Sequence, residues 1–222
     1  MSIIGSMIPV ETDSPTGPRR ADAVRNRALV LAAAEEVFAE QGMKAQVEEV
    51  ARRAGVGVGT VCRNFPTKQS LIEAVLASLY VSLLEQAEAA AAQPDPAAAF
   101  EEFFVALPDF HVRHRAFAEQ MANELEVAAE PVRDRLMTVV SDLVTRAQAA
   151  GAIRSDIGPA DVSMLMSGVA HATALAGELQ PMLRERYVRI VLDGLRPDAV
   201  STLPGHPVSY TDLRHAKQRS AK

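Results

Sequence analysis

Residues 47–68 read Val47-Glu-Glu-Val-Ala-Arg-Arg-Ala-Gly-Val-Gly-Val-Gly-Thr-Val-Cys-Arg-Asn-Phe-Pro-Thr-Lys68, and their spacing decides the fold. Val47, Val50, Ala51 and Ala54 recur at three- and four-residue intervals, the apolar face of a short helix. Gly55 permits a tight turn, and Val61 and Phe65, four apart, anchor a second helix over Val58 to Phe65. The layout is that of a helix-turn-helix. The rest of the second helix carries Thr60, Cys62, Arg63 and Asn64. This face suits the edges of DNA bases, where an arginine pairs with guanine and a threonine methyl meets thymine.

Outward from this stretch, every block has helical period and none shows the alternating, β-branched pattern of a strand. A first helix is predicted from Asp22 to Gln41, with Ala28, Leu31, Ala34 and Phe38 inward and Gly42 as its stop. After Pro66 and a capping Thr67, a long helix repeats Leu71, Val75, Leu79 and Leu83 and ends before Pro94. It is expected to join two units. Asp95-Pro96 starts the next block, Pro108 is expected to break or kink it, and Pro131 opens another that Gly151 ends. This makes three helices of the body before residue 151. Blocks at Pro159–Gly177 and Pro181–Leu195 bring the expectation to about nine helices in an all-α chain. The expected divisions are a disordered tail (1–18), a three-helix head (19–66), a larger helical bundle (67–196) and a flexible tail (197–222) in which a short helix could form around Asp212–Lys217.

The net charge of −5 conceals an uneven distribution: residues 19–70 carry +3, residues 71–195 carry −9, and residues 196–222 carry +3. A basic head on an acidic body suits a module that meets polyanions, carried by one that avoids them. The single cysteine excludes an internal disulfide framework and fits a reducing compartment. No basic start followed by an apolar run opens the chain, and no unbroken apolar stretch reaches the roughly 18 residues of a membrane span. A cytoplasmic protein with no membrane partner is the expectation. Gly55-Val-Gly-Val-Gly59 follows no strand and lacks the spacing of a phosphate-binding loop. His111 and His114 have no second ligand pair, so neither a metal nor a cofactor is assigned. No nucleophile–base pair stands out, and no catalytic residues are assigned.

The chain resembles the TetR family of helix-turn-helix transcriptional regulators. The resemblance rests on Phe38-Ala-Glu-Gln-Gly42, Val50-Ala-Arg-Arg-Ala-Gly-Val56 and Gly59-Thr60 followed by Phe65 and Lys68, within about fifty consecutive residues. It implies a dimeric regulator of a double-stranded DNA operator, released by a small-molecule effector held in the helical body. On this reading the DNA contacts fall on Arg19, Arg20, Gln46, Gly57, Val58, Gly59, Thr60, Cys62, Arg63, Asn64 and Lys68, with Arg19 and Arg20 in an arm. Four positions depart from the family pattern: Gln46 stands for a capping Thr, Val58 for Lys, Cys62 for Tyr and Asn64 for His. Contacts to the phosphates would then lean on Arg63, Lys68, the backbone amides of Gly57 and Gly59, and the arm residues Arg19 and Arg20.

Aromatic and thioether residues concentrate in the body. An effector pocket is expected there, with Leu79, Leu83, Phe103, Phe104, Phe110, Phe117, Met121, Met164 and His171 as its lining; the competing reading makes the same residues core. The last two long helices are the expected homodimer surface. Ser163, Ser167, Ala170 and Ala174 would allow close approach, and Tyr187, Ile190, Val191 and Leu195 would supply apolar contact. A helical protein-interaction module without sequence-specific DNA binding is the alternative, and it differs in having no salt-dependent affinity for DNA.

Overall fold

A computed structural model describes residues 18–118, 130–198 and 201–220. Among them are nine α-helices and no strand: α1 (Pro18–Gln41), α2 (Val47–Ala54), α3 (Val58–Asn64), α4 (Lys68–Ala91), α5 (Pro96–Ala118), α6 (Glu130–Ala149), α7 (Pro159–Thr173), α8 (Gln180–Gly194) and α9 (Tyr210–Ser220). Helices α1 to α3 form the head. In the body α4 packs against α5 and α6, α5 crosses α7 and α8, and α7 lies on α8.

The first helix begins four residues before its expected start, at a proline, which needs no amide partner in the first turn. Its buried face is Val30, Ala33, Ala34, Val37 and Phe38, with Leu31 half-buried and Ala28 exposed. The inward stripe is therefore displaced from the one expected, because α2 and α4 both pack on α1 and together cover a broader face than one row of residues. Across the α1–α2 contact, Arg53 donates from its two Nη atoms to the two Glu40 carboxylate oxygens at 2.7 and 2.8 Å. Glu36 and Glu49 stand 3.7 and 3.6 Å from the same guanidinium.

The long helix α4 starts with reciprocal caps. The Ser70 amide donates to Thr67 Oγ1 at 3.0 Å, and the Thr67 amide donates to Ser70 Oγ at 3.1 Å. Leu71, Val75, Leu79 and Leu83 are all buried, joined by Ile72, Leu76, Tyr80, Ala87 and Ala90. This helix is long and apolar enough to cross a membrane by length and composition, with half of that stretch buried. The core that runs through both units accounts for its apolarity. At its far end Arg146 of α6 donates to the carbonyls of Ala91, at 2.7 Å, and Gln93, at 3.0 Å, which satisfies acceptors that the helix leaves open.

Two expectations about the body change. Pro108 lies inside an uninterrupted α5, so two described helices, α5 and α6, follow α4 before residue 151 where the sequence reading expects three. An interior proline costs about 3 kcal/mol locally, but Phe103, Phe104, Leu107 and Phe110 on both sides of it are buried, and their packing holds the helix through the lost hydrogen bond. The second change concerns residues 201–220, which are not a free tail: they run back over the α6–α7 turn and end in α9, packed on α7. The expected disordered residues 1–17 lie outside the described ones.

The Arg53–Glu40 pair carries a pH dependence. Hydrogen bonding from Arg53 holds the Glu40 carboxyl below its ordinary value. Its contribution is then present above the ordinary carboxylate range and is lost as pH falls through the depressed value. Denaturation midpoints measured down an acid series should fall less steeply for Glu40→Gln than for the parent. Parallel curves would show that the pair adds nothing to head stability.

Candidate nucleic-acid interface

The head presents the α2–turn–α3 unit as the sequence predicts. Val50 and Ala51 are buried under α2, with Val47 and Ala54 half-buried beside them. Gly55 adopts φ +67°, a left-handed conformation that side chains resist, and the Val56 amide donates to the Ala51 carbonyl at 3.0 Å to close the helix. Val61 and Phe65 are the buried anchors of α3. Phe65 is extended, as expected of the residue before a proline, and so ends α3 after seven residues. The Arg27 guanidinium of α1 sits 5.1 Å from the Phe65 ring centroid and braces that anchor.

With those anchors inward, Val58, Gly59, Cys62 and Arg63 are exposed on α3 and Thr60 is half-buried. Five candidate contacts thus share one helix, with Gly57 as its extended N-cap. Lys68, half-buried, is the first residue of α4, three positions beyond the Phe65 anchor. Asn64 is placed differently: its Nδ2 donates to the Thr60 carbonyl at 2.8 Å, so the amide turns back on its own helix. Gln46 occupies the N-cap of α2 but makes no capping bond; its Nε2 donates to the Lys44 carbonyl at 2.9 Å. Arg19 and Arg20 belong to the first turn of α1 and do not form an extended arm. Arg27 was legible only as a basic residue, since nothing in its local spacing announces the ring that it covers.

In the body, a cleft of about 370 Å³ opens between α4 and α5, lined by Leu83, Gln86, Ala106, Asp109, Phe110 and Val112. Of the residues expected to line a pocket, Leu83 and Phe110 do so. Leu79, Phe103 and Phe104 are buried in the core, where the Phe104 ring lies 5.3 Å from Phe100. Met164 and His171 face outward on α7. Phe117 falls on α5, and Met121 lies outside the described residues. Gln86 and Asp109 escaped the sequence reading because polar side chains do not mark a pocket until the helices meet. Asp109 is ion-paired with Arg184 of α8. Among the described residues, no cluster of three or more His, Cys, Asp or Glu could hold a metal.

Met164 and Leu165 on α7, Leu175 and Leu179 in the connection that follows it, and Met182 and Ile190 on α8 are all exposed. Ile190 alone of the apolar contacts expected there is fully outward. Ala170 and Leu195 are buried within the chain, and Tyr187 and Val191 pack partly on its own core. Ser163, Ser167 and Ala174 are half-buried.

Comparison with known proteins follows the same division into head and body. Residues 30–75 match the bacterial regulatory proteins of the tetR family, and residues 95–197 match the C-terminal domain described as transcriptional regulator SbtR-like. No curated protein matches the chain. Among solved structures, a TetR transcription regulatory protein from Mycobacterium vanbaalenii is 34% identical, with a TM-score of 0.64 over 81% of this chain and 99% of that one. The TetR transcriptional regulator SCO0520 from Streptomyces coelicolor is also 34% identical, with a TM-score of 0.65 over 78% and 99%. A transcriptional regulator from Rhodococcus sp. Rha1 is 25% identical, with a TM-score of 0.60 over 76% and 95%. A head whose anchors turn Arg63 and Cys62 outward, a body built on one long shared helix, and near-complete overlap with these regulators lead to one conclusion: the chain belongs to the TetR family of DNA-binding transcriptional regulators.

Proposed function

We propose that this regulator is a cytoplasmic repressor that binds a two-fold symmetric operator as a homodimer and leaves it when a small apolar or amphipathic effector enters the body. The observation that carries the reading is α4. Its first residue, Lys68, comes four residues after the end of α3, and Leu83 on the same helix lines the α4–α5 cleft, about 22 Å along the axis. An effector that prefers one placement of α4 would thus bias the spacing of the two recognition helices in a dimer. Driving such a dimer from about 99% competent to about 1% takes roughly 5.5 kcal/mol of preference, which two bound molecules can share. Leu83, Phe110, Ala106 and Val112 give the cleft an apolar lining, and Gln86 and Asp109 give it a polar one. With the body at −9, a neutral or cationic effector fits better than an anionic one.

On α3, Arg63 is assigned to base readout and Thr60, Cys62 and Val58 to contacts along the groove. Lys68 and the Gly57 and Gly59 amides are assigned to phosphates. The head has an exposed guanidinium at Arg63 to spend on a guanine edge, since its Arg53 is already held by Glu40. The outward apolar residues of α7, α8 and their connection are the proposed dimer surface, because they leave large apolar side chains to water.

Arg63→Ala should weaken operator binding by about 1–3 kcal/mol and relax the preference at one base pair. Lys68→Ala should weaken all DNA alike and flatten the salt dependence. Gel-shift titrations across operator variants and salt concentrations separate the two. An Arg63→Ala protein that keeps full sequence preference refutes the readout assignment, and a parent without salt-dependent DNA binding returns the helical interaction module to the front.

Sedimentation equilibrium should give a dimer at micromolar concentration for the parent and a monomer for Met182→Glu/Ile190→Glu. A double variant that remains dimeric places the interface elsewhere.

Compounds that raise the melting temperature should also lower operator affinity, and Leu83→Ala or Phe110→Ala should reduce both effects in a protein that still folds. Thermal stabilisation with operator affinity unchanged would separate binding from regulation and sink the effector hypothesis.

A further inference from the structure

Residues 201–220 dock on a site shaped for them. Gly158 has φ −110° and ψ 168°, a conformation open to any residue, so its lack of a side chain has another cause. A Cβ at this position would lie 2.5 Å from the Val208 carbonyl oxygen: the returning chain crosses where a side chain would stand. One carboxylate oxygen ties both strands of this crossing together. Asp161 Oδ2 accepts from the Gly158 amide at 2.7 Å, capping α7, and from the Val208 amide at 3.2 Å.

Two further contacts bracket the crossing. Upstream, Arg154 donates from Nη2 to the Ser201 carbonyl at 2.6 Å while it is held by Asp156 at 2.9 Å. The Arg154 guanidinium lowers the Asp156 carboxyl to about 2, with a smaller contribution from the Leu203 backbone. Downstream, the Tyr210 hydroxyl hydrogen-bonds with Ser163 of α7, and burial pushes the phenol well above its ordinary range. Ser209 and Asp212 then cap α9, the Asp212 amide donating to Ser209 Oγ at 3.1 Å and the Ser209 amide donating to Asp212 Oδ2 at 3.0 Å. Arg154, Asp161 and Ser163 therefore hold the returning chain at three successive points, Ser201, Val208 and Tyr210, and Gly158 leaves the room in which Val208 crosses. The SbtR-like family match ends at residue 197, so this grip involves a segment beyond it.

We propose that residues 201–220 are an intramolecular latch that pins the start of α7 to the body and thereby tightens the homodimer. The inference rests on the reading of α7 and α8 as the dimer surface. Ser163, which the latch occupies through Tyr210, adjoins Met164 and Leu165 of the outward apolar row. A free α7 start would let that row shift against its mate, whereas a pinned one presents it in a single position before association, and preorganisation of this kind strengthens binding.

The test uses full-length protein with Gly158→Ala, which drives a methyl into Val208, and Tyr210→Ala, which empties the downstream anchor. Tyr210→Phe is the milder variant, since it keeps the ring and removes only the hydroxyl. Hydrogen exchange should show that 201–220 and the first turns of α7 are protected in the parent and lose protection together in both alanine variants. Sedimentation equilibrium should show the dimer dissociating about tenfold more readily in each. Because either change releases the same strap, the double variant should be no weaker than the worse single one. The proposal is overturned if the tail is released while dimer affinity stays at the parent value, or if 201–220 exchanges like free chain in the parent. A parent that is monomeric at every concentration overturns the dimer reading itself, and with it the latch. Unchanged affinity in a dimeric parent removes only the latch.

Discussion

Everything in this molecule hangs on one helix that carries a single core from the head into the body. Leu71 and Ile72 near its start and Leu79, Leu83, Ala87 and Ala90 farther along are buried in that one core, and all lie on α4 without a break. A flexible linker would let the head turn freely. An uninterrupted helix does not, because moving the head relative to the body means bending a ladder of hydrogen bonds or shearing an interface of buried leucines. The capping box at Thr67 and Ser70 extends this stiffness to the last residue before the recognition unit.

The recognition unit is correspondingly spare. With seven residues, α3 is too short to hold itself as a helix in water, and its shape comes from Val61 and Phe65 below and from Arg27 over the Phe65 ring. Few side chains are left to read DNA. Asn64 spends its amide on the Thr60 carbonyl, which leaves Arg63 as the exposed cation of the helix. Cys62, exposed beside it, is small and weakly polar.

How much of this the sequence discloses depends on the range of the interaction involved. Val61 and Phe65, four residues apart before a proline, announce the anchors of α3, and Gly55 announces the turn, because helical period and backbone conformation are local properties. The α4 stripe is legible for the same reason. Pro108 misleads, since its local signal says break while the decisive term is the burial of phenylalanines against helices distant in sequence. Phe103 and Phe104 are core, and Asp109 and Gln86 edge the cleft; the composition of α5 says nothing about which of its faces meets α4. The tail is the plainest case. Its polar, basic composition reads as unfolded chain, but what holds it is a set of partners at residues 154–163, among them a glycine defined by the space it leaves empty.

The Arg146 cap has a mechanical consequence. By gripping the carbonyls of Ala91 and Gln93, it fixes the far end of α4 to α6 and makes that end a fulcrum. Leu83 lies about 12 Å from it and Lys68 about 35 Å, at the rise of an α-helix. A rod pivoting there multiplies sideways displacement by about three between those residues, so a shift of about 1 Å at Leu83, the thickness of a small change in packing, arrives at Lys68 as roughly 3 Å. That distance is comparable to the rise of one base pair along a DNA duplex, about 3.4 Å.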